Sequence, residues 1–147
     1  MAATNRSATP SGEPEIPVRL KLSALWTSVM FCYIYGDYFW LYAPGKLQEI
    51  LAGRMEPLGQ VTEGVLLGTT VSMTIPSLMI FLSLVLRRTP NRWLNIVFGI
   101  VYSLFVLITM QGAWAFYLFL GTVDIALTLL IVWYAWRWPR VAADATA

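Results

Sequence analysis

Four apolar stretches, each close to the length of a membrane span, constrain this chain more than any other feature. They cover residues 22–42, 62–86, 93–110 and 114–136. A hydrocarbon core about 30 Å thick is crossed by about 20 helical residues. No water is available there to satisfy the backbone, so stretches of this length have to be helices. The strands of a membrane barrel would alternate in polarity over about 10 residues, and these stretches do not. The expected fold is all-α: a four-helix transmembrane bundle with antiparallel neighbours, occupying residues 19–140, with N- and C-termini cytoplasmic. Composition agrees. The chain has 147 residues, of which 58% are hydrophobic and 12% charged. A soluble domain carries about 25% charged residues, so most of this surface is not built to face water.

The flanks are different. Residues 1–18 are rich in Ala, Thr, Ser, Pro and Glu and read as a disordered polar tail; 141–147 form a short C-terminal tail. Glu13 and Glu15, with no basic start and no short apolar core, argue against a signal peptide. The first span is therefore expected to remain in the mature protein.

Charge placement sets an orientation. Arg19 and Lys21 precede the first span, Arg87, Arg88 and Arg92 fill the turn between the second and third, and Arg137 and Arg140 follow the fourth. Counting Arg6, eight of the ten basic residues fall on that side. The positive-inside rule puts it in the cytoplasm. Trp93, Trp133, Trp136 and Trp138 mark the same boundary, and Trp40 and Trp114 the opposite one. A multi-pass protein of the bacterial inner membrane is expected, with the lipid bilayer as its first partner. Beside apolar spans the basic residues serve as anchors, so no nucleic acid is expected to bind.

Several chemistries are excluded by counting. There is no His and only one Cys, Cys32. That removes His-ligated haem, most zinc sites, imidazole acid–base catalysis and any disulfide within the chain. No phosphate loop, G-x-S-x-G or HExxH motif occurs. No cofactor, metal or catalytic residue is expected, and an enzyme acting alone is the weakest reading. Cys32, in an apolar span with no basic neighbour, reads as inert packing.

In lipid, helices meet where small residues let backbones approach. Gly64, Gly68 and Ser72 recur every four residues in the second span, as do Asn95, Gly99 and Ser103 in the third; Gly121, Thr128 and Ala135 recur every seven in the fourth. Each set lies on one helix face. Pro76, in the middle of the second span, removes a backbone donor and frees the carbonyl of Ser72. It is a structural kink or a hinge. The loop after the first span holds a short amphipathic helix, opened near Pro44 and closed by Gly53, with Leu47, Ile50 and Leu51 on its apolar edge. It forms either a lid or a loop resting on lipid headgroups.

Asp37 and Asp124 are the candidate site, with Glu63 at a margin. A carboxylate at mid-span costs about 2.5–3.5 kcal/mol on insertion scales, and no Lys or Arg lies within a span to offset it. At 1.5 Å per residue, Asp37 is about 24 Å from Lys21 and Asp124 about 20 Å from Arg137. Both therefore fall in the outer half, and Glu63 at the outer interface. Tyr33 and Trp40 share a helix face with Asp37; Tyr117, Gly121 and Thr128 share one with Asp124. One reading is structural: each Asp, protonated, bonds a Tyr hydroxyl or a free carbonyl and locks the bundle. The other is an outward-side polar cavity of Asp37, Asp124, Tyr33, Thr128 and Glu63 that responds to a proton or a small solute. The aromatic run from Tyr33 to Tyr42 supports an interface belt, and a pocket for a flat ligand such as a quinone as an alternative.

Leu22-Ser23-Ala24-Leu25-Trp26, Tyr35-Gly36-Asp37, Asn91-Arg92-Trp93-Leu94-Asn95 and Trp133-Tyr134-Ala135-Trp136-Arg137-Trp138 resemble a family of small bacterial four-helix membrane proteins of unknown function. The likeness covers residues 20–138. It implies acidic residues in the first and fourth spans, matched by Asp37 and Asp124. It also implies an acidic residue just before the Pro of the second span, where Thr74 stands instead. No activity comes with the resemblance. The expected functions are, in order, transport or sensing of a small solute or proton, a structural or accessory subunit of a larger membrane complex, and a lipid- or quinone-binding component. Self-association into a homo-oligomer fits four short helices that enclose little space alone.

Overall fold

The structure, a computed structural model, describes residues 16–55 and 58–138. The tail expectations for 1–15 and 141–147 lie outside the described residues. The elements are α1 (Val18–Trp40), α2 (Lys46–Leu51), β1 (Arg54–Met55), β2 (Gly59–Gln60), α3 (Glu63–Val85), α4 (Arg88–Thr109) and α5 (Ala115–Trp136). Thr62 caps α3 by accepting the Val65 N–H at 3.2 Å. The start of α4 differs from expectation. It begins at Arg88 rather than 93, because Pro90 falls in the first turn, where a missing N–H breaks no helical bond. Arg88 and Arg92 therefore belong to the helix, and Leu86 and Arg87 make the connection.

Helices α3, α4 and α5 are each long and apolar enough to cross a membrane. Helix α1 matches them in length, but its second half carries Tyr33, Tyr35, Asp37, Tyr38 and Trp40 instead of aliphatic side chains. Leu67, Phe81, Ile108 and Phe119 are each more than 60% exposed on the outer faces. An apolar belt of this kind is foreign to a surface facing water.

The four long helices pack in the order α3, α1, α5, α4 around the bundle, each antiparallel to its neighbours, and the α3–α4 seam that closes the ring is sparse. At one end arginines bond the last carbonyls of neighbouring helices: Arg19 to Leu84 (3.1 Å), Arg92 to Trp136 (3.2 Å) and Arg88 to Trp138 just beyond α5 (2.9 Å). The negative end of a helix dipole favours such cations. Arg137 lies over Trp133 and Arg92 over Trp136, 5.1 and 5.6 Å from the ring centres. We call this the arginine end.

The core fills the half of the bundle nearest that end. Leu22, Trp26, Val29, Met79, Ile96 and Ile131 form it, around a buried polar network. The Trp26 indole N–H donates to Asn95 Oδ1 (2.8 Å), Asn95 Nδ2 to Asn91 Oδ1 (2.7 Å), and Asn91 Nδ2 to the Ser83 carbonyl (2.7 Å). This ties α1, α4 and α3 together. Along α4–α5 the backbones approach closely. A Cβ on Gly99 would stand 2.7 Å from Val132 Cγ2 and 3.2 Å from the Thr128 carbonyl oxygen. The Ser103 and Thr128 hydroxyls lie 2.7 Å apart across the seam. Gly121 abuts Met110.

The α3 stripe needs correction. A Cβ on Gly68 would meet nothing within 4 Å, and one on Gly64 only the Thr62 hydroxyl at 3.9 Å. These glycines do not pack against another described helix: the buried residues of α3, Pro76, Met79 and Ser83, all lie further along the helix, toward the arginine end. The Ser72 carbonyl freed by Pro76 accepts the Tyr102 hydroxyl of α4. α3 stays helical through Pro76, and the unpaired acceptor becomes a bridge across the sparse seam.

Candidate functional site

The half of the bundle away from the arginine end is hollow. A cavity of about 440 Å³ lies between α1, α3, α4 and α5 beneath a cap made of α2 and the β1–β2 hairpin. Glycines shape the cap. Gly45, at φ 84°, turns the chain into α2, and Gly53, at φ 70°, turns it out again. The hairpin follows, antiparallel, with Arg54 opposite Gln60 and Met55 opposite Gly59. Val61 closes it by donating to the Gly53 carbonyl (2.8 Å). Lys46 Nζ bonds Glu49 at 2.7 Å and lies over the Trp40 ring, 5.3 Å from its centre. Leu47 and Leu51 face outward, and Ile50 lines the cavity.

The helical register orders the cavity from mouth to floor. Trp40 and Tyr117 stand near the cap, their rings 5.3 Å apart. The Tyr117 hydroxyl donates to Thr109 (3.1 Å), which anchors this wall to the end of α4. Tyr33, Phe105 and Asp124 lie deeper. Asp124 is 2% exposed, and neither carboxyl oxygen has a hydrogen-bond partner among the described residues. The Tyr33 hydroxyl is directed at that carboxyl but falls outside hydrogen-bond geometry, and it too is buried without a partner. A buried polar group without a partner is expensive, so each one calls for a structural or functional reason.

The expected site residues separate. Tyr33, Asp37 and Asp124 line one cavity. Asp37 remains exposed on its wall, whereas Asp124 is enclosed. Thr128 does not line the cavity. It lies a turn further toward the arginine end, bonded to the Asp124 carbonyl (2.9 Å) and to Ser103. Glu63 is exposed in the first turn of α3, also away from the lining. The lining is mostly apolar and aromatic rather than polar, because side chains such as Met73, Phe105, Val106 and Leu120 turn inward between the carboxyls. Among the described residues no three His, Cys, Asp or Glu side chains come together to hold a metal ion.

Sequence reasoning missed the hairpin, which brings Arg54, Met55 and Leu58 over the cavity. Its signal was the pair Gly53 and Gly59, spaced to flank a tight reversal. A family model matches residues 16–144, a span that takes in every helix, the cap and the cavity. The chain belongs to DUF6326, a family of unknown function. No curated protein and no solved structure matches it. For this DUF6326 member, function has to be argued from the cavity.

Proposed function

We propose that this DUF6326 protein is a multi-pass protein of the bacterial inner membrane that binds a small solute, for transport or sensing, in a cavity on the outer side. In this reading α1 is the fourth span of a transmembrane bundle, the arginine end faces the cytoplasm with both termini, and the cap lies outside. The carrying observation is the cavity of about 440 Å³ with Asp37 exposed on its wall and, beside its deep end, the enclosed Asp124, whose carboxyl has no hydrogen-bond partner among the described residues. A cavity of a few hundred Å³ with few polar groups suits a small organic molecule, and its size favours a solute over a bare proton.

Two experiments test this. A periplasmic reporter enzyme fused at Gly112 is expected to be active and one fused after Ala147 silent; the reverse pattern overturns the orientation. In liposomes loaded with a pH dye, the protein is expected to dissipate an imposed gradient when a panel of solutes is added. The Asp37→Asn, Asp124→Asn double variant is expected to fold and lose this. A parent protein no more active than empty liposomes overturns transport.

A second reading, a subunit of a homo-oligomer or larger membrane complex, is favoured by the part of α3 at Gly64 and Gly68, which no described helix covers. A partner copurifying in mild detergent, released by Gly68→Leu, supports it; a monodisperse monomer overturns it.

A further inference from the structure

We propose that the arginine end of the bundle holds the phosphate of an anionic phospholipid, gripped by Arg88, Arg92 and Arg137 where α5 finishes. This lipid site is independent of whatever fills the cavity and needs only that the helices lie in a bilayer.

Charge is the first observation. Among the described residues, Arg19, Lys21, Arg87, Arg88, Arg92 and Arg137 gather at this end. The described acidic residues, Asp37, Glu49, Glu63 and Asp124, all belong to the other half, and so does the ion pair between Lys46 and Glu49. The helix dipoles give no net relief. Helices α1 and α4 begin at this end while α3 and α5 finish there, so two positive and two negative termini offset one another. Carbonyl oxygens accept from Arg19, Arg88 and Arg92. A carbonyl is neutral, however, and each guanidinium carries five N–H groups. The positive charge therefore stands without a counter-ion among the described residues.

The second observation is convergence. Arg88 and Arg92 are one turn apart and share a face of α4. They reach the Trp138 and Trp136 carbonyls, at 2.9 and 3.2 Å. Arg137, next after α5, lies over Trp133, and Arg92 over Trp136. Lys21 of α1 lies over Tyr134, 5.4 Å from the ring centre. Cation–π contacts hold these side chains against the helix instead of letting them extend into water. Trp133 and Trp136 are exposed, and tryptophan marks the level of lipid headgroups. Guanidinium groups fixed at that level meet phosphate, and arginine suits it because its planar fork bonds two oxygens at once. Basic sites between helix ends take anionic headgroups in this manner.

The test uses the full chain in phosphatidylcholine vesicles that carry, as a minor component, a lipid brominated near the top of its acyl chains. That lipid is either phosphatidylglycerol or phosphatidylcholine, at equal mole fraction. Quenching of tryptophan fluorescence reports how often it sits beside Trp133 and Trp136. The anionic lipid is expected to quench as though enriched at least about fivefold. Arg92→Gln is expected to bring this near parity and Arg92→Lys to keep part of it. The Arg137 side chain engages the fold through the Trp133 ring rather than through a described hydrogen bond. Arg137→Gln is therefore expected to fold and to lower the enrichment, and it decides alone if Arg92→Gln does not fold. A folded Arg92→Gln or Arg137→Gln protein with undiminished enrichment overturns the assigned residues. Arg87 is exposed and lies outside the cluster on α5, so Arg87→Gln is expected to keep most of the enrichment. A loss there as large as in Arg92→Gln overturns the site in favour of diffuse attraction to a charged surface. Equal quenching by the two lipids overturns the lipid site outright. So does an enrichment that inorganic phosphate abolishes and chloride of the same ionic strength does not, since a soluble anion is then the ligand.

Discussion

The two halves of the bundle bury polar side chains to opposite ends. Near the arginine end, Trp26, Ser83, Asn91 and Asn95 satisfy one another across three helices. In the hollow half, Asp124 and Tyr33 are as enclosed as they need to be for bonding, yet their oxygens have no partner. In lipid a helix pair gains no hydrophobic drive to associate, so a completed hydrogen-bond network is a means of fixing which helices meet. An incomplete one fixes nothing. It weakens the fold locally.

That contrast can be broken by substitution, and the largest effect is expected at Asn95. Asn95→Ala removes the acceptor of the Trp26 indole and leaves Asn91 short of a donor. It should destabilise the protein by about 2–4 kcal/mol, read as a fall in the thermal unfolding midpoint in detergent; an unchanged midpoint would show that the network does not hold the bundle. Gly99→Ala comes next. Its Cβ would press on Val132 and on the Thr128 backbone, an overpacking cost of about 1–3 kcal/mol, which chemical denaturation can measure. At Asp124 the sign should reverse. Asp124→Leu removes an unpartnered buried carboxyl and is expected to stabilise the fold by about 1–2 kcal/mol; a destabilised variant would mean that Asp124 is structural after all. The smallest effect belongs to Gly68→Ala. With nothing within 4 Å of the added methyl, the monomer should gain about 0.5–1 kcal/mol from helix propensity alone. If subunit cross-linking falls in this variant while the monomer is intact, the α3 face is an interface.

How much of this could be read from residues alone differs between the same two regions. The apolar stretches located α3, α4 and α5 to within a few residues, since length and hydropathy are local properties. The small-residue periodicities placed Gly99, Gly121 and Thr128 on helix faces, but periodicity does not say which face a neighbour covers. Gly64 and Gly68 had the same spacing and look out from the bundle. The pairing of Trp26 with Asn95 joins positions 69 apart in the sequence, beyond any local pattern. The acidic residues were visible as anomalies within apolar spans, yet their different surroundings were not. Asp37 and Asp124 have similar depth by residue count, and only the packing of α1 on α5 encloses one and leaves the other open. Thr128 and Asp124 share a helix face, but the α4 contact claims the hydroxyl of Thr128 and leaves the carboxyl buried without a described hydrogen-bond partner.

The order of packing carries a consequence for biosynthesis. Helix α1 lies between α3 and α5, and the seam between α3 and α4, although these are joined by only two residues, is sparse. Helix α1 therefore waits for α5, which is made after α3 and α4, before its second long interface can form. Trp26 likewise has no acceptor until α4 brings Asn95. A chain interrupted before residue 115 would hold α1 and α3 with one side of α1 uncovered, a form that membrane quality control can recognise and remove.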